Sequence, residues 1–220
     1  MDVFYLHGFA SSPESSKATF FAERFASRGV RLHCLDLNQP DFSTLTVSRM
    51  LRQLDEQIAT LAGGPIVLIG SSLGGFVAIE AAARRAGDAR CPVATLVLLA
   101  PAVELEWDKW SELGPGGVDQ WRRAGAIRIF HYAYGENRYL NFGFYKDANR
   151  YQPSAHQLLQ PMLIFQGRYD ESVSPELVER FAAAQPRATL YMLEDGHQLK
   201  ESLEFIWENT SAALGPAFPR

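Results

Sequence analysis

The chain has 220 residues, 47% hydrophobic and 21% charged, enough to bury one sizeable core and to form a single domain. A formal net charge of -4 argues against nucleic acid as a partner, and no apolar run reaches the roughly 18 residues of a membrane span. Cys34 and Cys91 lie far apart and read as buried reduced thiols, and the N-terminus has no basic segment ahead of its first motif, so a cytoplasmic location without a signal peptide is expected.

Val3 to Leu6 is a short β-branched and aromatic run that stops at His7-Gly8-Phe9. Ser12-Pro13 predicts an N-cap with proline at the first helical position, and Phe21 and Phe25 continue that helix until Gly29. Val30 to Leu37 is the second predicted strand. Val47, Met50, Leu51, Leu54, Ile58 and Leu61 then mark one face of a long helix ended by Gly63-Gly64. Pro65 to Ile69 is the third strand, and it leads through Gly70-Ser71-Ser72-Leu73-Gly74-Gly75 into an alanine-rich helix, Phe76 to Arg85. Val93 to Leu99 is the fourth strand. The next, Met162 to Phe165, comes about 60 residues later, too far for a structureless loop in a compact domain, so an inserted subdomain is expected. A helix carrying Leu177, Val178 and Phe181, a strand over Leu190 to Leu193, and a helix striped by Leu199, Leu203, Ile206, Trp207 and Leu214 complete the chain. Strands alternating with amphipathic helices predict an α/β fold with a mainly parallel sheet covered on both faces. Ligands of such sheets bind beyond the carboxyl ends of the strands.

Every polar candidate falls at such an end. Gly70-x-Ser72-x-Gly74 between a strand and a helix has the form of a nucleophile elbow: the serine is strained, and the flanking glycines make room for neighbouring backbone. Ser71 is a rival, but only position 72 has glycine two residues away on both sides. A serine hydroxyl needs a base, and the base needs a group to hold its tautomer. Of five histidines, His33 lies within a strand, His131 and His156 lie in the insertion, and His7 is in the first turn. His197, in the Asp195-Gly196-His197 loop after the last strand, is the expected base. Asp170, one short loop past the Met162 strand, is the expected acid. Glu171, Glu194 and Asp195 are its rivals, and the last two are too near His197 in sequence to reach its outer ring nitrogen easily.

The order Ser72, Asp170, His197 is that of α/β-hydrolases, and the chain resembles that superfamily over nearly its whole length. His7-Gly8-Phe9 is similar to the oxyanion-loop motif, Gly70 to Gly75 to the elbow, Gly167 to Val173 to the acid loop and Gly196-His197 to the base loop. Within the superfamily it resembles small YqiA-like serine esterases and related acyl-protein thioesterases, starting at what corresponds to the third strand, without the usual first hairpin. The resemblance implies an oxyanion hole formed by the amides of Phe9 and Leu73, with His7 orienting the loop or touching substrate. It further implies cleavage of a small-molecule ester or thioester through an acyl-enzyme on Ser72. An amidase, peptidase or carbon–carbon hydrolase would use the same triad, and a catalytically silent relative would be a binding protein.

The insertion, about residues 103–157, is a quarter of the chain but holds 11 of its 26 aromatic residues. It is expected to cap the active site, with Trp107, Trp110, Phe142 and Phe144 lining an apolar pocket, and Gly114-Pro115-Gly116-Gly117 to act as a hinge or a plain loop. No metal-ligand spacing, phosphate loop or dinucleotide fingerprint occurs, so neither metal nor cofactor is expected.

Overall fold

A computed structural model describes residues 1–215. Its elements, in chain order, are β1 (Asp2–Leu6), α1 (Ser16–Ala26), β2 (Leu32–Leu35), α2 (Val47–Ala59), β3 (Ile66–Ser71), α3 (Leu73–Arg84) and β4 (Val93–Leu99). The insertion supplies α4 (Gly117–Ala124), β5 (Ala126–His131), β6 (Glu136–Asn141) and α5 (Gly143–Ala148). Then come β7 (Met162–Gly167), α6 (Pro175–Ala183), β8 (Ala188–Leu193) and α7 (Leu203–Leu214).

Six strands form one sheet in the order β2-β1-β3-β4-β7-β8, every neighbouring pair parallel, while β5 and β6 form a separate antiparallel hairpin. Alternate strand residues face opposite ways, which divides the core in two. Val3, Tyr5, Val67, Ile69, Val97 and Leu99 meet α1 and α7 on one face. Phe4, Leu6, Leu68, Leu96 and Leu98 meet α2, α3 and α6 on the other. Trp121, Ile129, Leu140 and Phe144 of the insertion join this second cluster, so the insertion packs as an extension of the main core.

Several expected boundaries move. Ser12 closes a turn, its hydroxyl accepting from the Glu14 amide, and Ser15 is the cap that accepts from Ala18, so α1 starts at Ser16. The intervening residues carry the chain over the sheet edge first. The second strand shortens at both ends, because the Val30 amide is held by the Phe25 carbonyl and the Leu37 amide turns to the His7 ring. Leu199 is not on α7. It is a buried loop residue at φ 52°, and Asp195 fixes that loop by accepting from the amides of Glu201 and Ser202. Residues 139–145, which fit neither period, are the end of β6 running through Phe142 into α5. The glycine segment at 114–117 is the loop into α4, with Gly114 and Gly117 at φ 58° and 53°.

Candidate active site

The turn between β3 and α3 is set by backbone crowding. Ser72 has φ 53° and ψ −118°, a conformation that costs energy for any residue with a Cβ. A Cβ on Gly70 would lie 2.4 Å from the Gly74 carbonyl oxygen, and one on Gly74 only 2.0 Å from that of Leu6. The Ser72 amide donates to Leu99 at 3.0 Å, and its carbonyl accepts from Gly75, Phe76 and Ala102. This network clamps the residue while leaving its side chain at the sheet edge. Ser71 faces inward, is buried, and is engaged by the hydroxyl of Tyr5. Burial pushes the Tyr5 phenol well above its usual range, against the pull of Ser71 and Ser15.

His197 and Asp170 reach Ser72 from two loops. His197 Nε2 lies 3.1 Å from Ser72 Oγ, and its Nδ1 lies 2.8 Å from Asp170 Oδ2. The base and acid loops are joined by backbone: the Tyr169 amide donates to the Asp195 carbonyl at 3.0 Å, and a Cβ on Gly167 would sit 2.4 Å from that same oxygen. The Asp170 side chain is fully buried. Its Oδ1 accepts from the amides of Ser172 and Val173, each at 2.9 Å, and its Oδ2 accepts from Gln166 Nε2 at 2.9 Å as well as facing the imidazole. Burial alone would raise this carboxyl's pKa. The His197 hydrogen bond and charge, with the Val173 amide and Gln166, outweigh burial and hold it below the usual range. An Asp kept ionised here fixes the imidazole with its proton on Nδ1, leaving Nε2 to accept the serine proton.

One residue that pattern reading passed over, Gln166, and one that it weighed as a rival acid, Asp195, support this arrangement. Gln166 is buried and spans from Asp170 to the Gly167 carbonyl, and its position just before the strand-ending glycine was the available signal. Asp195 is not a rival acid. Its Oδ2 accepts from the amides of Glu201 and Ser202 and from the Ser202 hydroxyl, and its Oδ1 from Gly196, so it shapes the loop that carries His197. An acid two residues before the base, with Ser202 downstream, is a turn signature.

The first turn lies directly beside Ser72, since a Cβ on Gly8 would stand 3.3 Å from both Ser71 O and Ser72 Cβ. Of the two roles expected of His7, its surroundings favour anchoring the loop over touching substrate: it is 3% exposed, its Nδ1 donates to the Gly8 carbonyl at 2.8 Å, and its Nε2 accepts from the Leu37 amide at 3.0 Å. Phe9 stacks its ring on Trp110, Phe42 and Phe144, with centroids 5.0, 5.5 and 5.8 Å away. Leu73 opens α3, where first-turn amides have no helical acceptor.

The four aromatic residues expected to line a pocket divide. Trp107 borders a cavity of about 390 Å³ beside α3, and Trp110 packs between Trp107 and Phe9. Phe144 is fully buried in the main core, so it supports the pocket rather than lining it. Phe142 is also buried, against Trp121 and Tyr145, with Arg122 and Lys146 over its ring. Both are drawn inward because the insertion has no core of its own and borrows that of the sheet.

The family model for the Uncharacterised protein family (UPF0227) matches residues 2–211. The chain belongs to this family. No curated protein matches it. Among solved structures, Est1E from Butyrivibrio proteoclasticus with ferulic acid bound is 21% identical with a TM-score of 0.80, the match covering 96% of this chain and 87% of that one. Mouse alpha/beta hydrolase domain-containing protein 10 is 18% identical with a TM-score of 0.76, over 98% and 90%. The monoacylglycerol lipase of Paleococcus ferrophilus is 16% identical with a TM-score of 0.76, over 96% and 93%. At such identities the likeness establishes the α/β-hydrolase fold. Among the described residues of this UPF0227 member, no helix is long and apolar enough to cross a membrane, and no cluster of three metal-ligating side chains occurs.

Proposed function

We propose that this UPF0227 protein is a serine hydrolase that cleaves carboxylic esters, and thioesters by the same chemistry, through an acyl-enzyme on Ser72. The observation that carries the reading is the hydrogen-bonded line from Asp170 through His197 to a serine held at a strained elbow. Est1E with its ferulic acid and the monoacylglycerol lipase share the fold, which supports an ester as the substrate.

Ser72 Oγ attacks the ester carbonyl carbon while its proton passes to His197 Nε2. Asp170 stabilises the resulting imidazolium. The amides of Phe9 and Leu73 take the tetrahedral oxyanion, a contribution of about 3 kcal/mol per donor. Collapse breaks the bond to the leaving alcohol or thiol, which departs with the proton from Nε2. Water then gives a proton to His197, attacks the acyl carbon and releases the carboxylic acid, and Ser72 recovers its proton. The insertion acts as a cap over this edge, tied to the acid side by Glu106, which accepts from the Ser174 amide at 3.2 Å.

A fluorophosphonate probe should label the wild type and Ser71→Ala but not Ser72→Ala, and hydrolysis of p-nitrophenyl acetate should follow the labelling. Equal labelling of Ser72→Ala would overturn the assignment. A parallel series of ester, thioester and anilide substrates ranks the leaving groups.

A further inference from the structure

The chain leaves the sheet at Ala102 and passes back along residues 148–154, and the cavity of about 390 Å³ lies between the two passages. Ser72, Asp170 and His197 are not among its lining residues, but two of its walls are tied to the Ser72 main chain. Val103, on one wall, follows Ala102, whose amide donates to the Ser72 carbonyl at 3.1 Å; Phe76, on another, donates its amide to the same carbonyl at 3.2 Å. The volume suits one side of a small ester.

Phe76, Leu105 and Trp107 give it an apolar wall. Of its polar neighbours, two are committed within the fold. Asn149 accepts from Trp107 Nε1 at 3.2 Å and donates to the Tyr145 carbonyl at 2.7 Å, and the Tyr151 hydroxyl meets Ser48 Oγ at 2.6 Å. Glu104, Gln152 and Ser154 supply the remaining polar atoms, and no lysine, arginine or histidine borders the space. Along the passage that carries Glu104 the charge has the same sign, while Arg150 on the return passage is paired with Asp147 at 3.3 Å. Residues 103–119 carry five carboxylates, Glu104 among them, against the single cation Lys109, which Glu106 holds at 2.8 Å.

An indole face beside a carboxylate, an amide and a hydroxyl suits a group that is apolar on its flat side and rich in hydroxyl donors at its edge. The same carboxylate repels an anion, and among the described residues no cation lines the cavity to offset it. We propose that this cavity receives a neutral, hydroxyl-bearing part of the substrate, a polyol or sugar-like group, and that Glu104 excludes esters carrying phosphate or carboxylate, coenzyme A thioesters included. The proposal rests on the esterase reading of Ser72.

The test compares 1-butyrylglycerol with 1-butyrylglycerol 3-phosphate, the same ester with and without an added anion. The wild type should favour the neutral ester in kcat/KM by about tenfold or more. The ratio should shrink several-fold in Glu104→Gln, fall to unity or below in Glu104→Lys, and diminish with added salt in the wild type. Calorimetry on Ser72→Ala, which does not turn the ligands over, should show the neutral ester binding more tightly, with the preference lost on adding Glu104→Lys. A ratio equal in all three proteins, or a phosphate ester that binds Ser72→Ala as tightly as the neutral one, overturns the proposal. If the wild type hydrolyses neither ester, p-nitrophenyl acetate decides the esterase reading and the calorimetry decides the cavity by itself.

Discussion

At the sheet edge, Gly70, Gly74 and Gly167 let backbones approach more closely than any Cβ allows, and Ser72, His197 and Asp170 are placed by main-chain hydrogen bonds. In the insertion, outside the β5–β6 ladder, contacts run mainly between side chains. Trp107, Trp110, Trp121 and Tyr145 pack ring against ring, and carboxylates tie the segment to helix starts elsewhere. The edge is therefore intolerant of small steric changes. The insertion tolerates them but depends on charges and rings. A backbone-built edge can hold atoms within hydrogen-bond reach, whereas a surface built from side chains can vary and so define what is admitted.

The largest expected effect belongs to the edge. Asp170→Asn should leave the far-ultraviolet circular dichroism unchanged and lower kcat by about 10⁴-fold, because the amide favours the wrong imidazole tautomer. Asp195→Asn, which touches only the loop, should cost about tenfold, measured in the same p-nitrophenyl acetate assay. Equal losses would erase the distinction between the acid and the loop-shaping residue. Gly74→Ala drives a methyl into the Leu6 carbonyl, so it should destabilise the fold by more than about 4 kcal/mol and yield little soluble protein.

Smaller effects should come from the insertion. Asp147 accepts from the Ser48 amide at 2.8 Å and the Ser48 hydroxyl at 2.6 Å, in the first turn of α2. Asp147→Ala should cost about 1–2 kcal/mol, or a few degrees in Tm by calorimetry, with the hydrolysis of small esters reduced less than in Asp195→Asn. The smallest effect is a pH dependence. His131 is fully buried, stacked on Tyr134 at 3.9 Å, with neither ring nitrogen hydrogen-bonded to protein. Burial first, then its electrostatic coupling to His7 and Arg138, hold its pKa below the ordinary value. The unfolded chain then binds a proton that the folded one does not. The contribution to stability is full above about pH 6.5, falls as the pH drops below that value, and levels off below the folded pKa. Thermal melts between about pH 8 and pH 5 should show this slope, and it should flatten in His131→Phe.

That Ser72, Asp170 and His197 would come together was legible in the sequence because each sits at a strand end and each is a recognisable residue type. The pocket aromatics could not be sorted, because Phe142 and Phe144 have the same composition signal as Trp107, and only packing reveals which ring is buried. His7 shows the same limit: a histidine after a strand suits a substrate contact and a loop anchor equally, until Leu37 is found donating to its ring.

What the sequence determined by itself was the alternation of strands and helices, the elbow and the order of the three polar residues, since periodicity and glycine placement act locally along the chain. Only the tertiary structure decided how closely the loops of those residues meet, which aromatic rings are buried and where the cavity opens. Those are contacts between segments distant in sequence: Ser72 and His197 lie 125 residues apart, and no local pattern encodes the 3.1 Å between them.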